Sequence, residues 1–141
     1  MSKTGLHTFT FGLLFLCGFA SGAEWAGPNG CTVDNGIPGG NGILTGFSGT
    51  TLNIIVEQRD NSKAWFYWHF RVRNAGGQTL TVRLSGGRSY DYIGNAGPAV
   101  SIDGGVTWSW PLTSVSKGST QFTYAIPAGA DDVRFAMSIP Y

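Results

Sequence analysis

The segment from Trp65 to Arg73 alternates between two kinds of side chain along its whole length. Apolar side chains occupy every second position: Phe66, Trp68, Phe70 and Val72. Aromatic and cationic side chains occupy the positions between them: Trp65, Tyr67, His69, Arg71 and Arg73. Because side chains of a strand point alternately to its two faces, this pattern predicts a β-strand with one face in the core.

The second face of this strand is the best binding candidate in the sequence. Exposed aromatic rings can stack on sugar rings, and an arginine can hold a carboxylate through two hydrogen bonds. Left bare, however, five such side chains would form an unusually large aromatic surface. We therefore expect that a second sheet or a neighbouring domain covers this face.

The same alternation predicts further strands, separated by turns rich in Gly, Pro, Asn and Asp. They span residues 51–58, 79–85, 99–102, 106–110, 121–126 and 133–139. Since Asn74–Gly77 is a typical hairpin turn, we expect strand 79–85 to pair antiparallel with strand 65–73. The pattern as a whole predicts an all-β fold, an antiparallel and jelly-roll-like β-sandwich of about seven or eight strands. This domain would span residues 42–141 and follow an extended segment, residues 24–41, which has no sustained period.

Residues 1–23 have the layout of a secretory signal peptide. Lys3 precedes an apolar run from Phe9 to Phe19, and small residues from Ala20 to Ala23 offer a cleavage site. We expect cleavage after Gly22 or Ala23 and a secreted or periplasmic protein. No later apolar run approaches the length of a membrane span, so no membrane association is expected after cleavage.

Length, cysteine content and charge restrict the number of domains and the classes of ligand. The ~118 residues after the leader match the usual length of one domain. Cys31 is the only cysteine among them, and we expect a free thiol near a mobile N-terminus. Nine Lys and Arg residues nearly balance eight Asp and Glu residues, so there is no general field to attract nucleic acid.

No catalytic or metal-binding set emerges from the sequence. His69 is the only histidine after the leader, whereas a zinc site needs three protein ligands. No H-x-x-E motif surrounds it, and the spacing of the acidic residues supports no glycosidase-type carboxylate pair. We therefore predict no cofactor and no enzymatic activity for this chain by itself.

A short motif after strand 99–102 has the pattern S-x-D-x-G-x-T-W. Its residues are Ser101, Asp103, Gly105, Thr107 and Trp108. It resembles the Asp-box, a β-hairpin motif of sialidases and other secreted β proteins. Asp103 can accept backbone N–H bonds across the turn, Gly105 can adopt a left-handed conformation, and Trp108 can pack over the hairpin. We interpret the motif as structural.

Residues 85–98 form a long Gly-rich loop with several large side chains. Such loops often carry function because a scaffold positions them. Its candidate contacts are Arg88, Tyr90 and Tyr92. The alternative is a solvated loop whose aromatic side chains fold back on the sandwich.

Several blocks occur in a recognisable order: W-F-Y-W-x-F-R-V-R at 65–73, Gly97–Ser101 leading into D-G-G-x-T-W, Val133–Ala136 and Ile139–Tyr141. Over residues 33–141 the chain resembles the N-terminal β-sandwich domain of zinc carboxypeptidases of the cytosolic-carboxypeptidase (deglutamylase-like) type, in its bacterial form. In that family a catalytic domain follows the sandwich. It supplies an H-x-x-E pair, a later zinc-binding His, an Arg for the substrate carboxylate and a general-base Glu.

The resemblance implies an accessory role, because the sequence stops where the catalytic domain would begin. None of the family's catalytic residues can be assigned to it. The implied function is that of a non-catalytic domain that supports or docks to a catalytic domain or another protein surface. Two alternatives stay open: a stand-alone glycan- or peptide-binding module that uses the Trp65, Tyr67 and Arg71 face, and the front piece of an active metallocarboxypeptidase.

Overall fold

The computed structural model describes residues 24–57, 67–86, 92–112, 115–116 and 118–140. These residues form two sheets that pack as a β-sandwich, so the predicted all-β class is confirmed. One sheet has the strand order β1-β2-β5-β9-β7 and the other the order β3-β4-β6-β8. The described strands are β1 (Trp25–Ala26), β2 (Thr32–Asp34), β3 (Ile43–Ser48), β4 (Thr51–Ile55), β5 (His69–Arg73), β6 (Thr79–Ser85), β7 (Ala99–Ser101), β8 (Gln121–Ala125) and β9 (Asp132–Ala136), with one 3₁₀ turn at Pro28–Gly30.

The apolar face of β5 lies at the centre of the core, as its alternation predicts. Trp68, Phe70 and Val72 are completely buried. The Phe70 ring stacks on Phe135 of the neighbouring strand, with ring centroids 5.4 Å apart. The Trp68 ring stacks on Phe122 of the opposite sheet at 5.9 Å. Aromatic contacts therefore join the two sheets through this face.

The predicted pairing of β5 with β6 is wrong. Strand β6 lies in the other sheet, parallel to β4 and antiparallel to β8. The turn residues between β5 and β6 bond to the β8–β9 connection instead of closing a hairpin. The N–H of Asn74 donates to Asp131, the N–H of Gly77 donates to Ile126, and the N–H of Ile126 donates to Gln78. The connection therefore crosses from one sheet to the other.

The segment expected to be merely extended contains two strands of the first sheet. Strand β2 pairs with β5, where Val33 lies opposite Val72. Cys31 just before it is 1% exposed and belongs to the core, so its expected place near a mobile N-terminus is wrong. The chain packs tightly here because position 27 is glycine: a Cβ on Gly27 would overlap the Cys31 sulfur and the Phe47 ring.

Two further strand assignments differ from the sequence prediction. Residues 106–110 form no strand, and only an isolated bridge joins Ser109 to Val100. Strand β3 was not predicted, because its register shifts between Leu44 and Gly46 and the shift breaks the alternation. The remaining described strands lie within their predicted spans or begin one residue earlier.

Candidate functional site

The chain itself covers the second face of β5 at His69, while the side chains of Arg71 and Arg73 are partly exposed. His69 is 1% exposed and lies under Trp108, whose ring meets it edge-on with centroids 5.6 Å apart. Tyr67 approaches the same ring at 6.4 Å. At His69 these contacts come from Trp108 and Tyr67 of the same chain. Coverage of the face by a neighbouring domain stays a prediction. Trp65 lies outside the described residues.

His69 is a packed residue of this face. Its backbone exchanges two hydrogen bonds with Asn41, of 2.8 and 3.0 Å. Neither ring nitrogen makes a hydrogen bond of good geometry with the described residues, although the backbone of Gly39 lies close. Burial lowers the pKa of His69, and the positive charge of Arg134 lowers it further. The imidazole is therefore neutral near pH 7.

The two arginines of β5 are ion-paired within the sandwich. Arg71 donates to both carboxylate oxygens of Asp34 at 3.0 Å, and Asp132 lies 3.7 Å away. These hydrogen bonds to Asp34 raise the pKa of Arg71. Arg73 donates to Glu24 at 2.6 Å. Asp34 therefore occupies the guanidinium fork of Arg71, and Glu24 occupies Nη2 of Arg73.

The 101–108 hairpin is held by the carboxylate of Asp103. That carboxylate accepts the N–H groups of Val106 (3.1 Å) and Thr107 (2.9 Å). It also accepts the hydroxyls of Thr107 (2.6 Å) and Ser101 (2.7 Å). These bonds, those from Thr107 first, lower the pKa of Asp103 to about 2. Every contact of Asp103 therefore serves the turn.

The glycine and tryptophan of the motif also take their predicted places. Gly105 has a φ of 92°, and a Cβ there would lie 2.8 Å from Arg134 Nη1. The indole N–H of Trp108 donates to the carbonyl of Gly105 at 3.1 Å. The hairpin is thus a rigid cover, with one side of it packed on His69.

The Gly-rich loop contributes to the core at the one candidate residue that the structure describes. Tyr92 is buried, and its carbonyl accepts the indole N–H of Trp68 at 2.7 Å. Arg88 and Tyr90 lie outside the described residues. The described end of this loop folds back on the sandwich.

Sequence reasoning missed an exposed apolar surface on residues 101–112, which we call the edge segment. Ile102, Val106 and Trp110 are 46%, 81% and 42% exposed. The segment lies at the β7 edge of its sheet, because Ser109 bridges Val100 of that strand. The exposed surface was missed because residues 106–110 were predicted to form a strand, and in a strand with one face in the core every second residue is buried.

A cleft at the opposite edge of the same sheet was also missed. It has a volume of about 290 Å³ and is lined by Trp25, Asn35, Gly42, Ile43, Leu44 and Glu57. These residues come from β1, β3 and the ends of neighbouring strands. Gly42, Ile43 and Leu44 are consecutive, but the other three lining residues come from separate parts of the chain, and no local pattern brings them together.

Metal-binding groups and membrane-spanning helices were sought in the described part of the chain only. There, no group of three or more His, Cys, Asp or Glu side chains is placed to hold a metal ion. Nor does any helix within those residues have the length and apolar character needed to cross a membrane.

Solved structures of two Burkholderia proteins share this fold. A metallo-carboxypeptidase from Burkholderia cenocepacia superimposes with a TM-score of 0.58 and 15% identity, over 79% of this chain and 30% of its own. The fold of this chain is therefore similar to that of one region of this metallo-carboxypeptidase. A Burkholderia mallei protein described as a carboxypeptidase superimposes with a TM-score of 0.57 and 14% identity, over 87% of this chain and 30% of its own. The resemblance inferred from the sequence is therefore confirmed at the level of the fold.

The match covers a minor part of these larger proteins. This chain spans 30% of the length of each. No protein-family model matches its sequence. No curated protein matches it either.

Proposed function

We propose that this chain is a non-catalytic β-sandwich domain that packs against the catalytic domain of a metallo-carboxypeptidase, as part of one polypeptide or as a separate subunit. The observation that carries the proposal is the coverage of the structural match. Most of this chain is shared with carboxypeptidases, yet it accounts for only 30% of their length. The proposed role is to support the catalytic domain and to shape access of substrate to it.

The edge segment is the proposed docking surface. Its three exposed apolar side chains stand on a hairpin whose backbone is fixed by the Asp103 bonds, so little conformational entropy is lost when they are buried. The end of β9 lies beside the Trp110 end of this segment, because Ala136 pairs with Ala99 of β7 and the adjacent Val100 bridges Ser109. A domain attached after β9 would therefore begin next to this surface.

The test starts with the intact gene. We expect an H-x-x-E-containing domain either downstream of codon 141 or in an adjoining gene. That domain would be produced with and without the sandwich, and its thermal stability and its release of C-terminal amino acids from peptides would be measured. We expect the sandwich to raise both, and the double variant Val106→Asp, Trp110→Ser to lose most of the gain.

A matched control uses the far side of the molecule. Arg83 is exposed on β6 of the other sheet, so Arg83→Ser should leave the gain unchanged. A locus with a genuine stop after codon 141 and no neighbouring peptidase gene would contradict the proposal. So would a catalytic domain that is indifferent to the sandwich.

The alternative of a glycan- or peptide-binding face on Trp65, Tyr67 and Arg71 gains no supporting observation. Trp108 covers the middle of that face, and Asp34 occupies Arg71. Export stays a prediction from residues 1–23, which lie outside the described residues. N-terminal sequencing of the exported protein would check the cleavage site.

A further inference from the structure

We propose that the cleft between β1 and β3 binds a cationic group, an alkylammonium or guanidinium such as an exposed lysine or arginine side chain. The site is independent of the proposed docking surface. Strand β1 and strand β7 are the two opposite edges of the first sheet, and the cleft lies at the β1 edge.

Trp25 provides the aromatic wall of this cleft. Position 46 is glycine, and a Cβ there would lie 3.6 Å from the Trp25 ring, so the ring packs directly on the backbone of β3. The indole is nevertheless 38% exposed. The ring is therefore held in place while part of it stays accessible to a ligand. Cations are attracted to the face of an indole more strongly than to any other side-chain ring.

The polar side chains of the cleft are chiefly acceptors. The amide Nδ2 of Asn35 donates to the carbonyl of Gly42 at 2.7 Å, and no described residue donates to its Oδ1. Glu57 is exposed and makes no ion pair with any arginine in the described ranges. Among the described residues that line the cleft there is no lysine or arginine. This arrangement favours a ligand that is positively charged and rich in donors.

The remaining walls suit the stem of a long cationic side chain. Ile43 and Leu44 are apolar, and the methylene groups of lysine or arginine pack on such surfaces while the charged end reaches a polar group. The volume of about 290 Å³ lies at the small end of ligand sites, which fits one side chain rather than an extended segment.

The experiment is a titration of the whole protein, followed by Trp fluorescence and by backbone amide shifts. The probes are Nα-acetyl-lysine amide and Nα-acetyl-arginine amide, with Nα-acetyl-norleucine amide and Nα-acetyl-citrulline amide as neutral analogues of similar shape. We expect the cations to bind with dissociation constants on the order of 1–10 mM, a range typical of a single side-chain contact. The neutral analogues should bind at least about fivefold more weakly, and added salt should weaken the cations.

Two variants test the residues that carry the proposal. Glu57→Gln and Trp25→Leu should each weaken cation binding by roughly tenfold, the usual loss for one charge-assisted or cation–π contact. Asp131→Asn removes an exposed carboxylate elsewhere, and Trp110→Leu removes a Trp of similar exposure at the other edge. Both controls should bind the cations as the unmodified protein does.

Four results would overturn the proposal. They are no binding of either cation, equal binding of Nα-acetyl-norleucine amide, no loss of cation binding in Glu57→Gln, and equal shifts of the same backbone amide signals by neutral sugars. Amide shifts at Asn35 and Gly46 should report binding at this cleft. Because these measurements need no catalytic domain, their outcome is separate from that of the proposed function.

Discussion

The Asp34–Arg71 pair offers a sharp test of how the first sheet is held together. Arg71 makes two 3.0 Å bonds to Asp34, whose side chain is 4% exposed, and the pair joins β2 to β5. Asp34→Asn removes the charge but keeps the shape. Its amide oxygen can still accept the 3.0 Å bond from the N–H of Gly36. The variant therefore removes the charge together with the hydrogen bond that Asp34 Oδ2 accepts from Arg71 Nε, because the amide NH₂ that replaces Oδ2 can only donate.

The expected magnitude follows from burial. Breaking a buried ion pair usually costs about 3–5 kcal/mol. Arg71 retains Asp132 at 3.7 Å and its side chain is 21% exposed, so we expect a smaller loss, about 2–3 kcal/mol. With Arg71→Met as the second variant, a double-mutant cycle should give a coupling energy of about 1.5–2.5 kcal/mol.

Urea unfolding followed by Trp fluorescence measures both quantities. A loss of about 2–3 kcal/mol lowers the urea midpoint by roughly 1–2 M for a domain of this size. The control cycle is Arg73 with Glu24, whose contact is shorter, 2.6 Å, but whose side chains are 37% and 49% exposed. We expect less than about 1 kcal/mol of coupling there. A larger coupling for the exposed pair than for the buried pair would refute the reasoning that burial outweighs distance.

Three further predictions concern buried groups. The folded state disfavours protonation of His69, so its contribution to stability is complete above pH ~6.5 and is lost as the pH falls through the lowered pKa. The urea midpoint of the unmodified protein should therefore fall with pH below ~6.5, and His69→Gln should reduce this fall. An unchanged dependence of the midpoint on pH would contradict the assignment. Trp68→Phe leaves the carbonyl of Tyr92 without its 2.7 Å donor and opens a cavity, so unfolding should require about 2–4 kcal/mol less; a loss below about 1 kcal/mol would contradict this. The Cys31 thiol is 1% exposed and burial raises its pKa, so a thiol reagent should label it in urea but barely in buffer; rapid labelling of the native protein would show that it is accessible.

The sequence predicted the strands whose alternation is unbroken. Strands β4, β5, β6, β8 and β9 lie where the pattern places them, give or take a few residues at the ends. Strand β3 was missed because a register shift interrupts its period. Strand β2 was missed because it lies within residues 24–41, a segment with no sustained period. The hairpin motif was predictable in detail, since all its bonds join residues within a span of eight.

The candidate sites were much less predictable from the sequence than the strands. Sequence reasoning identified the Tyr67–Arg73 face and expected a cover, but it did not identify Trp108 or Asp34 as the residues that occupy it. The exposed side chains of the edge segment and the Trp25 cleft were not expected either. Each depends on contacts between residues far apart in the chain, and no local period reports such contacts.

By itself, the sequence determined which side chains of the clearly alternating strands enter the core, because the faces of a strand are set by a period of two. Trp68, Phe70 and Val72 illustrate this, since all three are fully buried. Only the tertiary structure decided which strands are neighbours and which surfaces stay open. The turn after β5 is compatible with a hairpin, and its bonds to residues 126–131 send β6 into the other sheet instead. Strand pairing depends on long-range hydrogen bonds, so it was settled by the partners available in the folded chain.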